Sequence, residues 1–328
     1  MYDTLSVPME LSRLYKNCRL CPRACGVDRL AGGDIAADGF CGESAQLRLA
    51  FAGLHRGEEP PLTGKGGSGT VFVSGCNLGC AFCQNWQISS GKAAGKTTGK
   101  RLGRAVTTEE FTALCLELQN RGAENINIVT GSHAVPAIVQ CLSAAKTAGL
   151  RLPVLWNSSG YESPETLELL DGHIDTWLPD LKTLDSRLAA QFFNAPDYPQ
   201  AVAQAILWMI RNRPHSVIIR HLILPGHLES TRVVLRWFAD NALSGAQLSL
   251  MTQYTPIGGS TPIDGAKYAP GRFLNKREYE TVLGWLEEFG IEDGFCQELL
   301  TGSDWLPDFS RFNPFSSELS VAVWHFLH

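Results

Sequence analysis

The chain lacks the features that mark several function classes. Basic residues are in deficit, with 28 Lys and Arg against 33 Asp and Glu and a formal net charge of −5. With a sequence pI near 5.9, there is no positive field to grip nucleic acid or an anionic membrane. No apolar run reaches the roughly 18 residues that would span a bilayer. The opening stretch MYDTLSVPMELSRLYKN has no basic segment followed by an apolar one, so secretion is not expected. Disulfide frameworks belong to small secreted chains, whereas these 328 residues suffice for one large α/β domain or a medium domain with a satellite. The expectation is a soluble cytoplasmic protein that binds neither nucleic acid nor membrane.

Cysteine, by contrast, is plentiful. Seven of the ten fall in two tight groups, a pattern of metal binding in a reducing compartment. Cys76, Cys80 and Cys83 lie in SGCNLGCAFCQNW. Three thiolates are one too few for a closed structural site, but they suit a cubane iron–sulfur cluster whose fourth iron stays open. An open iron can chelate the amine and carboxylate of a small molecule such as S-adenosylmethionine (SAM), and an electron from the cluster then breaks a carbon–sulfur bond. Phe82, directly before the third cysteine, would shield one face of the cluster. The competing reading is a zinc site with a borrowed fourth ligand. Cys18, Cys21, Cys25 and Cys41 form the other group. Four soft ligands suit either a tetrahedral zinc or a second cluster, and bound metal would order this glycine-rich segment.

The rest of the chain alternates short β-rich runs with helical patterns. The runs are Thr70–Ser74, Asn125–Val129, Leu152–Trp156, Ile174–Leu178, Ser216–Leu224 and Gln247–Met251. Thr107 and Glu110 have capping-box spacing ahead of Phe111, Leu114, Cys115 and Leu118, and Asn275 and Glu278 open another helix. Further helices are expected around Val135–Leu142, residues 200–212 and residues 229–241. Six strand–helix units predict an α/β fold with parallel strands, best a partial (β/α)6 barrel, with a doubly wound sheet as the competitor. Expected boundaries are a Cys-rich N-terminal segment at 1–62, the barrel at 63–292 and an aromatic C-terminal cap at 293–328. The segments after successive strands are polar: the three-cysteine loop, Thr130-Gly131-Ser132-His133, Asn157-Ser158-Ser159, Asp180 with Lys182, Pro225-Gly226-His227 and Gln253-Tyr254. In parallel β/α barrels that face carries the reactive site.

These stretches, together with CRLCPRACGVDR, GFCG, WNSSGYES, LPDLK, RHLILPG and LMTQYTP, resemble the radical SAM superfamily. Within it they resemble the PflX-like branch, related to the pyruvate formate-lyase activating enzymes. The resemblance runs from about Cys18 to the DWLPDF tail. It implies one [4Fe-4S] cluster held by Cys76, Cys80 and Cys83, and SAM lined by Thr130, Gly131, Ser132, Asn157, Ser158 and Ser159. Asp180, Lys182 and His221 would be the catalytic or positioning groups. It also implies a flavodoxin- or ferredoxin-like electron donor and a protein substrate, a glycyl residue of a partner, although a small metabolite or another peptide also fits. Where the activating enzymes carry a Gly-Gly-Glu-like run, this chain has no acid, so the acceptor of the SAM ammonium is left open between backbone carbonyls and Ser132. Other residues read more plainly. Cys115, Cys141 and Cys296 are buried thiols, Glu58 and Glu59 form a solvated turn within the loop Arg56–Gly69, and GKGGSG is a weak phosphate-loop mimic. A non-catalytic iron–sulfur carrier or zinc-stabilised interaction protein is the other class.

Overall fold

The computed structural model describes residues 9–31, 39–89, 102–257, 269–303 and 305–328. The first part of the chain gives α1 (Met9–Lys16), β1 (Arg48–His55), α2 (Pro60–Thr63), β2 (Ser68–Val73), α3 (Trp86–Ser89) and β3 (Arg104–Ala105). Next come α4 (Thr108–Asn120), β4 (Ile126–Val129), α5 (Val135–Thr147), β5 (Val154–Ser158), α6 (Pro164–Leu170) and β6 (Thr176–Pro179). The remainder is α7 (Ser186–Phe193), α8 (Tyr198–Asn212), β7 (Ile218–Leu222), α9 (Leu228–Asn241), β8 (Gln247–Met251), α10 (Lys276–Glu288), β9 (Gly294–Cys296) and β10 (Ser320–His325).

β2, β4, β5 and β6 pair in parallel, with Gly69 opposite Ile126, Ile126 opposite Val154, and Leu155 opposite Thr176. Two parallel bridges, Trp177 to Val217 and Asp180 to Arg220, carry the sheet on to β7, β8 and β9. SGTVFV in β2 and INIV in β4 are buried at every position, because Val71, Val73, Ile126 and Ile128 pack against the helices while Phe72 and Val129 cluster with Phe309 and Phe315 of the C-terminal tail. Among the described residues the parallel strands number seven rather than six, because Gly294–Cys296 adds β9 beside β8. Among the described residues no pairing joins β9 back to the other edge, so the barrel stays open.

Two strands depart from expectation. Residues 48–55, inside the expected Cys-rich N-terminal segment, form β1, antiparallel between β2 and β10. The C-terminal tail does more than pack aromatics, since its residues 320–325 are β10, the edge of the sheet. Phe309 and Phe315 lie against Phe51 and Phe72 with ring centroids 5.5–6.0 Å apart. Each such buried ring contributes roughly 1.5–3 kcal/mol.

Helix starts follow the caps. Thr107 accepts from the Glu110 amide while the Glu110 carboxylate accepts from the Thr107 amide, and Asn275 with Glu278 repeats the arrangement. Phe111, Leu114, Cys115 and Leu118 turn inward as their spacing requires. Cys141 is buried, but Cys296 is exposed. On the outermost strand of the parallel run, Phe295 turns inward and its neighbours Gly294 and Cys296 therefore face out.

Candidate active site

The C-terminal ends of the parallel strands open on a cavity of about 260 Å3, whose wall includes Cys76, Cys80, Cys83, Thr130, Asn157, Ser158, Ser159, Asp180 and Lys182. The three thiols come from the loop after β2. Cys76 is buried and its sulfur accepts the Leu78 amide at 3.3 Å, while the Cys83 sulfur lies 3.4 Å from the Ser89 hydroxyl. Burial, together with the neighbouring Cys80 and Cys83, pushes the Cys76 thiol far up. Cys80 is pushed up to about 12 by burial, against the pull of Lys182. Empty of metal these groups would be protonated thiols, so metal binding here releases protons.

Three thiols on one cavity wall leave a closed tetrahedral site one ligand short. A single tetrahedral zinc would draw its sulfurs to roughly 3.8 Å from one another, from a Zn–S bond of about 2.3 Å. A cubane instead spreads its thiolates over separate irons. Three thiols around a shared cavity fit a cluster with an open iron. Phe82 is 7 % exposed and meets Phe192, Phe193 and Tyr254 edge-on at 5.8–5.9 Å, giving the loop an apolar wall.

The loop after β4 starts with Thr130 at φ +65°, a left-handed conformation that costs a β-branched residue about 1–2 kcal/mol. It turns the next two residues away from the cavity. A Cβ on Gly131 would meet the Trp156 ring at 2.6 Å, so glycine is needed there for packing. Ser132 is buried and donates to Glu162 at 2.6 Å. Neither Gly131 nor Ser132 lines the cavity, whereas Thr130 and the β5 residues do. Glu162 also accepts from the Trp156 indole at 3.3 Å. Burial pushes its carboxyl up while the hydrogen bonds from Ser132, Ser158 and Trp156 pull it down, with a net rise. It ties the β4 and β5 loops together from beneath.

Asp180 and Lys182 form an ion pair on the cavity wall. Burial would lower the Lys182 pKa, but Asp180 and then Cys80 outweigh it, and the lysine stays charged. Tyr198 braces this loop: its hydroxyl accepts the Lys182 amide at 3.1 Å and lies 2.6 Å from the Asp180 carbonyl.

His221 is not brought to the cavity. It is buried with Nδ1 2.7 Å from the Leu181 carbonyl and Nε2 3.0 Å from the Thr231 hydroxyl. Its strand neighbour Arg220 takes the cavity position, along with Leu222 and Leu224. Burial lowers the His221 pKa to about 4 from 6.5, against the raising effect of the Leu181 carbonyl. The unfolded chain therefore takes up this proton before the native one does. The stability contributed by neutral His221 is present above pH 6.5 and lost as pH falls toward 4, by up to about 3 kcal/mol. Denaturation midpoints of wild type and His221→Asn across that window check this, the variant having the shallower acid limb.

Glu58 and Glu59 correct the expected solvated turn. Both carboxylates bind Arg220, Glu59 through the Nε at 2.9 Å and Glu58 through Nη2 at 2.6 Å, and all three side chains are at most 11 % exposed. His133 is buried with its Nε2 2.8 Å from the Ser74 carbonyl. The four N-terminal cysteines line a separate small cavity with Arg29 and Phe40.

No described helix is long and apolar enough to cross a membrane. Residues 70–238 match the family model of the radical SAM superfamily. The chain is 29 % identical over 293 residues to MJ0674, an uncharacterized protein of Methanocaldococcus jannaschii, covering 88 % of this chain and 80 % of that one. Among solved structures, SuiB of Streptococcus suis bound to its precursor peptide SuiA aligns with a TM-score of 0.48 at 17 % identity. That alignment covers 70 % of this chain and 47 % of SuiB, so the chain spans about half of SuiB's length. A radical SAM methyltransferase from Sphaerobacter thermophilus aligns with a TM-score of 0.49 at 15 % identity, over 73 % and 67 % of the two chains. With the family model covering more than half its length, the chain belongs to the radical SAM superfamily.

Proposed function

We propose that this protein is a radical SAM enzyme of the PflX-like branch whose substrate is a glycyl residue in a partner protein. The observation that carries the reading is the set of three thiols on the wall of one cavity at the strand ends. Cys76, Cys80 and Cys83 would hold a [4Fe-4S] cluster, and Thr130 with Asn157 to Ser159 would line SAM. When bound, these two groups supply a 5′-deoxyadenosyl radical by reductive cleavage of the sulfonium. The protein's part is to bind, orient and exclude water. Phe82 and its aromatic neighbours keep solvent from the cysteine loop. Lys182, held by Asp180 and Tyr198, places a positive charge beside Cys80. Asp180, an acid on the cavity wall, takes over, in this reading, the ammonium contact that the loop after β4 cannot make. His221 acts on the site only through the Leu181 carbonyl, as a positioning residue. The four N-terminal cysteines form a second metal site, and the electron comes from a flavodoxin- or ferredoxin-like protein.

A specific observation favours a second substrate class. Glu58 and Arg220 put paired charges on the wall of the same cavity, a surface suited to a small polar metabolite. One experiment separates the readings. Anaerobically reconstituted protein given SAM and a low-potential reductant is expected to yield 5′-deoxyadenosine and methionine in equal amounts. Adding a candidate glycyl-radical partner should then produce the doublet spin signal of a glycyl radical. Absence of deoxyadenosine from iron-loaded protein would defeat the enzyme reading. Turnover without any doublet would move the substrate to the metabolite class.

A further inference from the structure

The four N-terminal cysteines present an arrangement that the reaction at the barrel mouth does not by itself require. Cys18 and Cys41 are buried, Cys21 is half-buried and Cys25 is exposed, and all four line one cavity. Backbone amides point at their sulfurs: Phe40 at Cys25 over 3.5 Å, Arg23 at Cys21 and Glu43 at Cys41. The last two repeat the offset of two residues seen from Leu78 to Cys76. Amide–sulfur bonds of this kind stabilise charged thiolates and tune cluster potentials.

Arg29 supplies an independent observation. It is 2 % exposed and spends its donors on the carbonyls of Glu43, Ser44 and His133 at 2.6–2.8 Å, and on the Cys18 sulfur at 3.7 Å. Among the described residues no carboxylate forms an ion pair with it. A buried guanidinium without an anion is costly. Four neutral thiols would leave it so, whereas four thiolates on a metal centre carry the missing negative charge. The place of the group, beside the three-cysteine loop, favours a redox cluster over a zinc, which carries no electron.

The placement of the group says what it does. Asn77, the residue after Cys76, lines the N-terminal cavity as well. Arg23, between Cys21 and Cys25, donates to the Asn77 carbonyl at 3.1 Å and to the Phe193 carbonyl at 3.1 Å, and its charge is felt at Cys80. One residue therefore separates the two cysteine sets, with Cys25 facing solvent on the outer side and Cys76 buried on the inner one.

We propose that Cys18, Cys21, Cys25 and Cys41 hold a fully ligated [4Fe-4S] cluster that is the entry point for the electron. A protein donor carrying a reduced flavin or iron–sulfur centre loses one electron, this cluster gains it, and it is reoxidised as the same electron passes inward to the Cys76, Cys80 and Cys83 site. No proton or bond is exchanged in that step. The relay rests on the function proposed above; the cluster does not.

The test uses the full chain purified anaerobically. The triple variant Cys76→Ala, Cys80→Ala, Cys83→Ala is expected to retain about four iron and four sulfide per chain, with a reduced spin signal indifferent to SAM. One zinc per chain with no iron, or no metal, overturns the proposal. Should that variant fail to fold, wild-type protein decides: about eight iron, with a SAM-responsive and a SAM-indifferent signal, supports it, while about four iron that all respond to SAM overturns it. Rapid mixing with reduced flavodoxin should raise the SAM-indifferent signal first, and the reverse order overturns the relay. Persistence of the SAM-indifferent cluster in protein that cleaves no SAM would leave the cluster standing and sink only the enzymatic reading.

Discussion

Replacing Cys80 with alanine is expected to lower 5′-deoxyadenosine formation by at least ~1000-fold, equivalent to roughly 4 kcal/mol in barrier. The thiol is half-buried on the wall of the main cavity between Cys76 and Cys83, and nothing else there can replace a soft anionic ligand on that iron. Two thiolates would leave a second iron bare, so the cluster should be lost and not merely detuned. Folding should survive, because the change removes one partly exposed sulfur and opens little cavity, a cost of about 1 kcal/mol. Cys115→Ala is the control: that thiol is wholly buried on the apolar stripe of α4, far from any ligand role, and the variant should keep its iron and its turnover. Iron content, the spin signal with and without SAM, and product by chromatography check the pair. Equal iron in Cys80→Ala and wild type would remove Cys80 from the cluster.

What the sequence reveals here, and what it hides, follows from the range of the interactions. The parallel strands are legible because burial on both faces leaves a continuous apolar run, and α4 and α10 announce themselves through capping boxes spanning three residues. β1, RLAFAGLH, carries the same kind of run but lies among glycines and cysteines, and only its pairing with β2 and β10 makes it a strand. The site is legible where local spacing encodes it, as in the three-cysteine loop. It is hidden where a partner is remote. Glu59 and Arg220 are 161 residues apart, Arg29 and His133 are 104, and Ser132 and Glu162 are 30. His221 is a different case, because a usable signal was present. Side chains alternate along a strand, and Arg220, Leu222 and Leu224 share one parity with the cavity while His221 has the other. Reading the parity of β7 would have selected Arg220.

Arg220→Ala is accordingly expected to cost about 3–5 kcal/mol of stability, the range for removing one partner of a buried ion cluster. The loss is large because two carboxylates would remain buried with a single histidine for company: Glu58 keeps His55 at 3.5 Å, whereas Glu59 keeps no charged neighbour among the described ion pairs. Its pH dependence identifies the cause. Burial pushes the Glu58 carboxyl up, but Arg220 and His55 together outweigh burial and hold it at about 2, below its ordinary 4.5. In the wild type the stabilisation from ionised Glu58 is therefore present above pH 4.5 and lost as pH falls toward 2. Without the guanidinium, burial dominates and the same carboxyl resists ionising, so the variant loses ground as pH rises. The difference between the two proteins should be widest near neutrality and shrink on acidification through the carboxylate range. Arg220→Lys, which keeps the charge but not the forked contact to both acids, should recover less than half of it. Urea denaturation of the three proteins at pH 7 and pH 4 measures both effects. A gap that did not change with pH would mean that the arginine stem's packing, and not its charge, holds Glu58 and Glu59 against the barrel.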